Sequence, residues 1–363
     1  MHLSIGDQDK NNKLTKEYYR KKNIIDIDFV SLAGLSLKEI ISETLAFTKK
    51  YYFRSKNSFQ SIFFFLNLWL SIKRSLLRLN ALPNVKVAIF GYDLVSPREI
   101  AIACKMRGIK TIATQERLIC GWDENSFFVF DHYLVINKDI EKHMIEERLG
   151  SVRKVKSIGP IRSDLIDMRG EDENIVLVLD FSSNPDFYKN GRNESNNWRQ
   201  NYIFYDNILK LAKKNKNIKF VIKGKNYDFV NIPYFDNIKS LIREISNVKL
   251  YDDKNNSPYE LIKKTKLTIA RYTSLVDELL FKERPVIIYG TGGYPSTFYY
   301  DENLIVKNYE ELEIKFNKWK EDSNKFNENI VNESHKYFPN KKTEVNVHNI
   351  LHSYLEKEFK YYS

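Results

Sequence analysis

Four consecutive residues, Arg271-Tyr272-Thr273-Ser274, have the types and the setting to hold an anion. They follow an apolar stretch (Leu267, Ile269, Ala270) that reads as a buried strand. They precede Leu275, Val276, Leu279 and Leu280, whose spacing gives a helix one apolar face. Free backbone N–H groups and the helix dipole favour negative charge at such a junction, and a nucleotide phosphate is the chemistry that fits. An ordinary βα turn has the same outline.

The elements needed to position that loop can be read around it. Ser274 followed by Asp277 has the form of a capping box, which predicts a helix starting at Ser274. Val286–Tyr289, bounded by Pro285 and Gly290, reads as a second buried strand. The unit is therefore βαβ, with a right-handed crossover in a parallel sheet. The series continues on both sides. Strands are expected at Asn23–Val30, Val85–Phe90, Thr111–Ala113, Tyr133–Ile136 and Val155–Ile158, with helices at Ser36–Tyr52, Ser96–Arg107 and Lys138–Leu149. After the charged stretch Arg169–Glu173, a second series runs through Ile175–Leu179, Lys219–Ile222, Val248–Tyr251 and the unit above, with a clear helix at Asn201–Asn215. The first twenty-two residues read as a polar leader, and Ser182–Asn197 as a long polar loop at a strand end. Two successive α/β units predict two doubly wound domains facing a cleft. The expected divisions are 1–170, 171–345 and a terminal helix in 346–363 that crosses back to the first domain.

Composition narrows the chemistry. The 363 residues carry 42% hydrophobic and 14% aromatic residues, which marks a folded protein. Only Cys104 and Cys120 are present, with no Cys/His ligand spacing, and no signal peptide is visible; a cytoplasmic setting is expected. Asp26 and Asp28 form a DxD, but inside a strand pattern rather than after it, so no metal is expected. The net charge of +11 implies an anionic partner. Nucleic acid is disfavoured, because the lysines are spread through Asn/Lys-rich loops and no recognition motif occurs.

Four motifs, in order, resemble the GT-B glycosyltransferases of bacterial surface-polysaccharide synthesis, including capsule-type Kdo transferases and the related CDP-glycerol glycerophosphotransferases. Thr114-Gln115-Glu116 is similar to a Gln-bearing turn over their cleft. Gly159-Pro160-Ile161-Arg162-Ser163-Asp164 resembles the G-x-x-R-x-D that ends their first domain. Val221-Ile222-Lys223-Gly224-Lys225 stands where they have a K-P-H-P strand end, without the histidine. Thr273-Ser274-Leu275 with Asp277-Glu278, then Arg284-Pro285-Val286, resembles their donor site.

The resemblance implies two Rossmann-like domains and transfer of a sugar from a nucleotide-activated donor, CMP-Kdo or a related CMP-sugar, to a surface-polysaccharide or lipid-linked glycan. It implies no cofactor and no metal. Lys223, Gly224, Arg271, Thr273 and Ser274 would meet the donor phosphate, and Glu278 a ribose hydroxyl. Gln115 and Arg162 would lie on the acceptor side. A carboxylate is needed as base or nucleophile, and Glu116, Asp180 and Asp93, each following a strand, are the candidates. A CDP-glycerol-type polyol-phosphate transferase, a sugar-nucleotide epimerase and a non-catalytic assembly subunit remain alternatives.

One stretch lies outside these motifs. Ser61–Ile72 is densely apolar but shorter than the roughly twenty residues that span a bilayer. Burial in the first domain is the expectation, with an interfacial helix as the alternative. Arg54, Lys56, Lys73, Arg74 and Arg78 around it are candidates for a reversible, peripheral contact with an anionic membrane surface.

Overall fold

Runs such as Ile175–Leu179 and Val286–Tyr289 are apolar at every position, as strands covered on both faces must be. In the computed structural model they are all parallel. The structure describes residues 2–5, 35–51, 59–91, 98–115, 129–146, 152–161, 163, 173–180, 198–224, 235–251, 258–271, 273–290, 304–338 and 356–357.

Two separate sheets are seen among these residues. The first has the order β1-β2-β3-β4-β5: β1 (His2–Ile5), β2 (Val87–Phe90), β3 (Lys110–Thr114), β4 (His132–Val135) and β5 (Lys154–Ser157). The second has the order β11-β10-β9-β6-β7-β8: β6 (Glu173–Asp180), β7 (Lys219–Gly224), β8 (Val248–Leu250), β9 (Thr265–Ala270), β10 (Val286–Tyr289) and β11 (Ile305–Val306). Numbered within its own half, the second order is 3-2-1-4-5-6, the doubly wound dinucleotide-binding arrangement.

The helices of the first half are α1 (Leu37–Tyr51), α2 (Phe59–Asn80), α3 (Arg98–Met106) and α4 (Lys138–Glu146). Those of the second are α5 (Trp198–Lys214), α6 (Phe235–Glu244), α7 (Pro258–Ile262), α8 (Leu275–Phe281), α9 (Tyr309–Glu321) and α10 (Ser323–Tyr337). Helix α9 begins with a reciprocal cap: Asn308 Oδ1 accepts from the Glu311 N–H, while a Glu311 carboxylate oxygen accepts from the Lys307 N–H. Helix α10 packs against α8 in its own half and against α4 in the other. Phe338, just beyond it, stacks edge-on against Phe281 at 5.3 Å. Helix α8 is thereby held from behind.

Three expectations are corrected. The N-terminal residues are not all leader: His2–Ile5 forms β1, in register with Val87–Phe90. Four residues are too few for a period to show, and the strand exists because the edge of β2 supplies its hydrogen bonds. Ser274 does not form a capping box. Its backbone is already helical (φ −63°, ψ −14°) and its side chain makes no capping bond; Thr273 Oγ1 instead accepts from the Leu275 N–H at 3.3 Å. Among the described side chains of the apolar run Ser61–Ile72, only the last is buried: Ile72 is 7% exposed, but Phe64 is 65% exposed. The expected strand at 23–30 with Asp26 and Asp28, the 182–197 loop, and most of the terminal helix lie outside the described residues.

Candidate functional site

Strands β2, β3, β4 and β5 end side by side, and residues at or just beyond their ends form one wall of a cavity. That wall is Gly91, Thr114, Gln115, Ile136, Pro160 and Ile161; Ser274 and Glu278 of the second half form the other. The space between is about 430 Å³, open to solvent. It therefore lies at the carboxyl ends of the first sheet, facing the start of α8, where open α/β sheets bind ligands.

The first wall is braced from within. The Gln115 N–H donates to the Leu134 carbonyl at 2.8 Å, and its side-chain Oε1 accepts from the Ile136 N–H at 3.0 Å. One residue thus ties the end of β3 to the end of β4, with only 2% of its surface exposed. Thr114 Oγ1 donates to the Phe90 carbonyl at 3.5 Å, linking β3 to β2. The turn after β5 passes through Gly159 at φ +98°, a conformation that side chains resist. It is closed by Ser163, whose hydroxyl donates to the Pro160 carbonyl at 2.6 Å. At Gly91 an added Cβ would meet nothing within 4 Å, so the absent side chain leaves open space at the cavity.

The second wall is one end of a tightly packed helix. Asp277 and Glu278 are both buried, and Val276, Leu279 and Leu280 pack into the core. Arg284, part of the Arg-Pro-Val motif, points to structure: its Nη2 donates to the Thr265 carbonyl at 2.6 Å and the Ile262 carbonyl at 3.3 Å. It closes the turn before β9.

The residues named from the sequence separate into groups. Gln115, Ser274 and Glu278 meet at the cavity. Thr273 adjoins it, with its hydroxyl used by Leu275. Lys223 and Gly224 end β7, where Gly224 pairs in register with Asp180 of β6. They lie two strands from β9, roughly 10 Å along the sheet edge. Lys223 Nζ sits 5.6 Å from the Tyr251 ring centroid. Arg271 is fully enclosed and is not on the cavity wall. Its N–H donates to the Leu179 carbonyl, and its guanidinium carbon lies 5.6 Å from the Phe204 ring centroid. Phe204 in turn meets Tyr289, whose hydroxyl accepts from Asn207 Nδ2 at 2.6 Å. Burial raises the Tyr289 pKa, while Asn207 and the nearby Arg271 charge lower it. Asp180 is placed by its backbone alone; Glu116, Asp93 and Arg162 lie outside the described residues. Gly91, Thr114, Ile136, Pro160 and Ile161 join the site without being expected there from their types, although each stands at a strand end or in one of the motifs above. Among the described residues no cluster of three His, Cys, Asp or Glu side chains could hold a metal ion.

Comparison with known proteins bears on this arrangement. A family model described as "Polysaccharide biosynthesis PFTS motif protein" matches residues 115–316. No curated protein matches the sequence. Among solved structures, UDP-GlcNAc 2-epimerase from Neisseria meningitidis bound to UDP-GlcNAc is similar at 13% identity, with 98% of this chain and 99% of that chain covered and a TM-score of 0.56. An α,α-trehalose-phosphate synthase (UDP-forming) from Burkholderia vietnamiensis is similar at 8% identity, covering 97% and 98%, with a TM-score of 0.52. MurG from Acinetobacter baumannii is similar at 10% identity, covering 92% and 94%, with a TM-score of 0.50. At these identities the likeness establishes the fold, which is GT-B: two Rossmann-like domains facing a cleft.

Proposed function

We propose that this chain, which belongs to the polysaccharide biosynthesis PFTS motif family, transfers a sugar from a nucleotide-activated donor to a growing surface glycan. The observation that carries this reading is the cavity itself. It brings Gln115, from the motif expected over the cleft, against Ser274 and Glu278 of the expected donor motif, although the two are far apart in sequence.

In this reading the donor lies along the carboxyl edge of the second sheet, with Ser274 and Glu278 at its sugar-proximal end and Lys223 and Gly224 along its phosphates. Arg271 acts from below, fixing the strand end on which Thr273 and Ser274 ride. The acceptor enters over Gln115 and Arg162. Its hydroxyl oxygen attacks the anomeric carbon, and the bond to the phosphate oxygen breaks. That oxygen leaves with the electron pair, and its developing charge falls where Lys223 and nearby backbone N–H groups can meet it. A carboxylate takes the hydroxyl proton or, in a retaining route, first forms a glycosyl bond itself. Glu116, next after Gln115, is the first choice; Asp180 and Asp93 follow. No metal or cofactor enters this scheme.

CMP-Kdo or a related CMP-sugar is the donor favoured by the motif resemblance, with CDP-glycerol next. Incubation with CMP-, CDP-, UDP- and GDP-linked donors and a glycan acceptor, read as acceptor-dependent release of nucleotide, tests the proposal. A second reading, epimerisation of a UDP-sugar, draws support from the overlay on the UDP-GlcNAc 2-epimerase. Conversion of a UDP-sugar without an acceptor would favour it, and no turnover with any donor would leave a non-catalytic assembly role.

A further inference from the structure

Among the described residues of the first half, most of the exposed large apolar side chains lie on one helix pair. On α1, Leu37, Ile41 and Leu45 recur every fourth residue and are 75%, 53% and 65% exposed. One stripe of a helix is thus apolar and open. On α2, exposure changes along the helix. Ile72, Ser75 and Leu79 are buried and anchor its carboxyl half, which packs against α3. Phe64 and Phe65 in the amino half are 65% and 49% exposed, with their rings edge-to-face at 5.7 Å.

A polar cluster ties the two helices together. Glu43 of α1 accepts from Trp69 Nε1 at 3.0 Å and pairs with Lys73 Nζ at 2.9 Å, and Lys73 lies 4.9 Å from the Trp69 ring centroid. The open stripe of α1 is therefore presented on a braced support. Between residues 36 and 80 the chain has eight Lys and Arg against two Glu, a net of +6 out of the whole protein's +11. Lys38 and Arg74 are exposed. Among the described residues, no helix is long and apolar enough to cross a membrane.

We propose that the α1–α2 pair docks on an anionic lipid surface, inserting Leu37, Ile41, Leu45, Phe64 and Phe65 among the headgroups. The charge selects this occupant. Exposed leucine, isoleucine and phenylalanine in a segment of net charge +6, with Lys38 and Arg74 in solvent, match an interface of acyl chains and negative headgroups. A second copy of the chain meeting this face across a two-fold axis would bring two sets of net positive charge together. The proposal deepens the functional reading by naming the surface at which a lipid-linked acceptor would be met. It differs from a purely electrostatic contact, because insertion leaves binding that salt cannot remove.

Co-sedimentation of the full chain with vesicles tests it, without donor or turnover, so its failure and that of the transfer reading are separable. Binding is expected to vesicles containing about a third phosphatidylglycerol, at least tenfold above phosphatidylcholine vesicles, with a residual fraction persisting at about 0.5 M salt. The triple variant Leu37→Glu/Ile41→Glu/Leu45→Glu is expected to lose at least tenfold in partitioning. The single variant Ile41→Glu, at a side chain already half in solvent, guards against loss of fold and should lose severalfold with an unchanged melting temperature. Equal partitioning of wild type and variants, no preference for anionic vesicles, or a wild-type dimer that the triple variant converts to monomer without vesicle binding would each overturn the proposal.

Discussion

Arg271, following β9, has its guanidinium carbon 5.6 Å from the Phe204 ring centroid on α5, and neither side chain reaches solvent. A fully enclosed cation beside an aromatic ring is held by its surroundings and in turn holds them. Arg271 connects the packing of α5, β10 and β6 to the loop that carries Thr273 and Ser274.

Its replacement should therefore act first on stability. Arg271→Ala is expected to cost on the order of 2–4 kcal/mol, the scale of losing a desolvated cation–π contact and opening the core around it. Urea unfolding of the variant measures this directly. A stability within about 0.5 kcal/mol of wild type would contradict the positioning role.

Gln115 should show a related but smaller effect. In Gln115→Ala the Ile136 N–H, now accepted by Gln115 Oε1, is left in a buried setting. The expected cost is about 1–3 kcal/mol, together with weaker acceptor use, since Ile136 itself lines the cavity. Chemical unfolding and initial rates at varied acceptor concentration would check the two parts separately.

Gly91 separates cavity shape from stability. Because nothing lies within 4 Å of an added Cβ, Gly91→Val should unfold within about 0.5 kcal/mol of wild type. The same side chain occupies space at the cavity, so ligand affinity or turnover should fall at least tenfold. An unimpaired Gly91→Val protein would show that this part of the cavity is not used.

Cys104 offers a test of the first half's core. The thiol is fully buried and its pKa is pushed up to about 12, chiefly by burial and further by the Asp131 charge. An ordinary thiol titrates near 8.5, so at pH 8.5 about half would be thiolate, while Cys104 stays protonated. In a Cys120→Ser background, a disulfide reagent at pH 8.5 should not modify the native protein and should modify one thiol after denaturation.

Much of this fold was legible because its strands are buried on both faces. Stretches such as Ile175–Leu179 and Val286–Tyr289 announce themselves without partners, and the β9–α8–β10 unit followed from their spacing. The short strand His2–Ile5 did not, since its hydrogen bonds come from β2, far along the chain. The capping-box pattern puts the helix start within one residue of Leu275, but the side-chain bond there comes from Thr273 and not from Ser274. Arginine after a strand reads as a surface cation, and only the distant Phe204, Asn207 and Tyr289 reveal an interior one. The cavity is the least legible feature. Its first wall is the sum of four strand ends, and no local pattern marks Gly91 or Ile136 as neighbours.

In the proposed reading, the cavity between Gln115 and Glu278 is the sugar-proximal end of a nucleotide-sugar site. Titration calorimetry of the full chain with CMP, CDP, UDP and GDP, and with the matching nucleotide-sugars, tests it most directly. One nucleotide should bind saturably and selectively, its sugar conjugate should bind at least as tightly, and Glu278→Ala should weaken binding of that conjugate at least tenfold while the protein remains folded. Absence of binding by every nucleotide, or equal affinity in wild type and Glu278→Ala, would contradict the account.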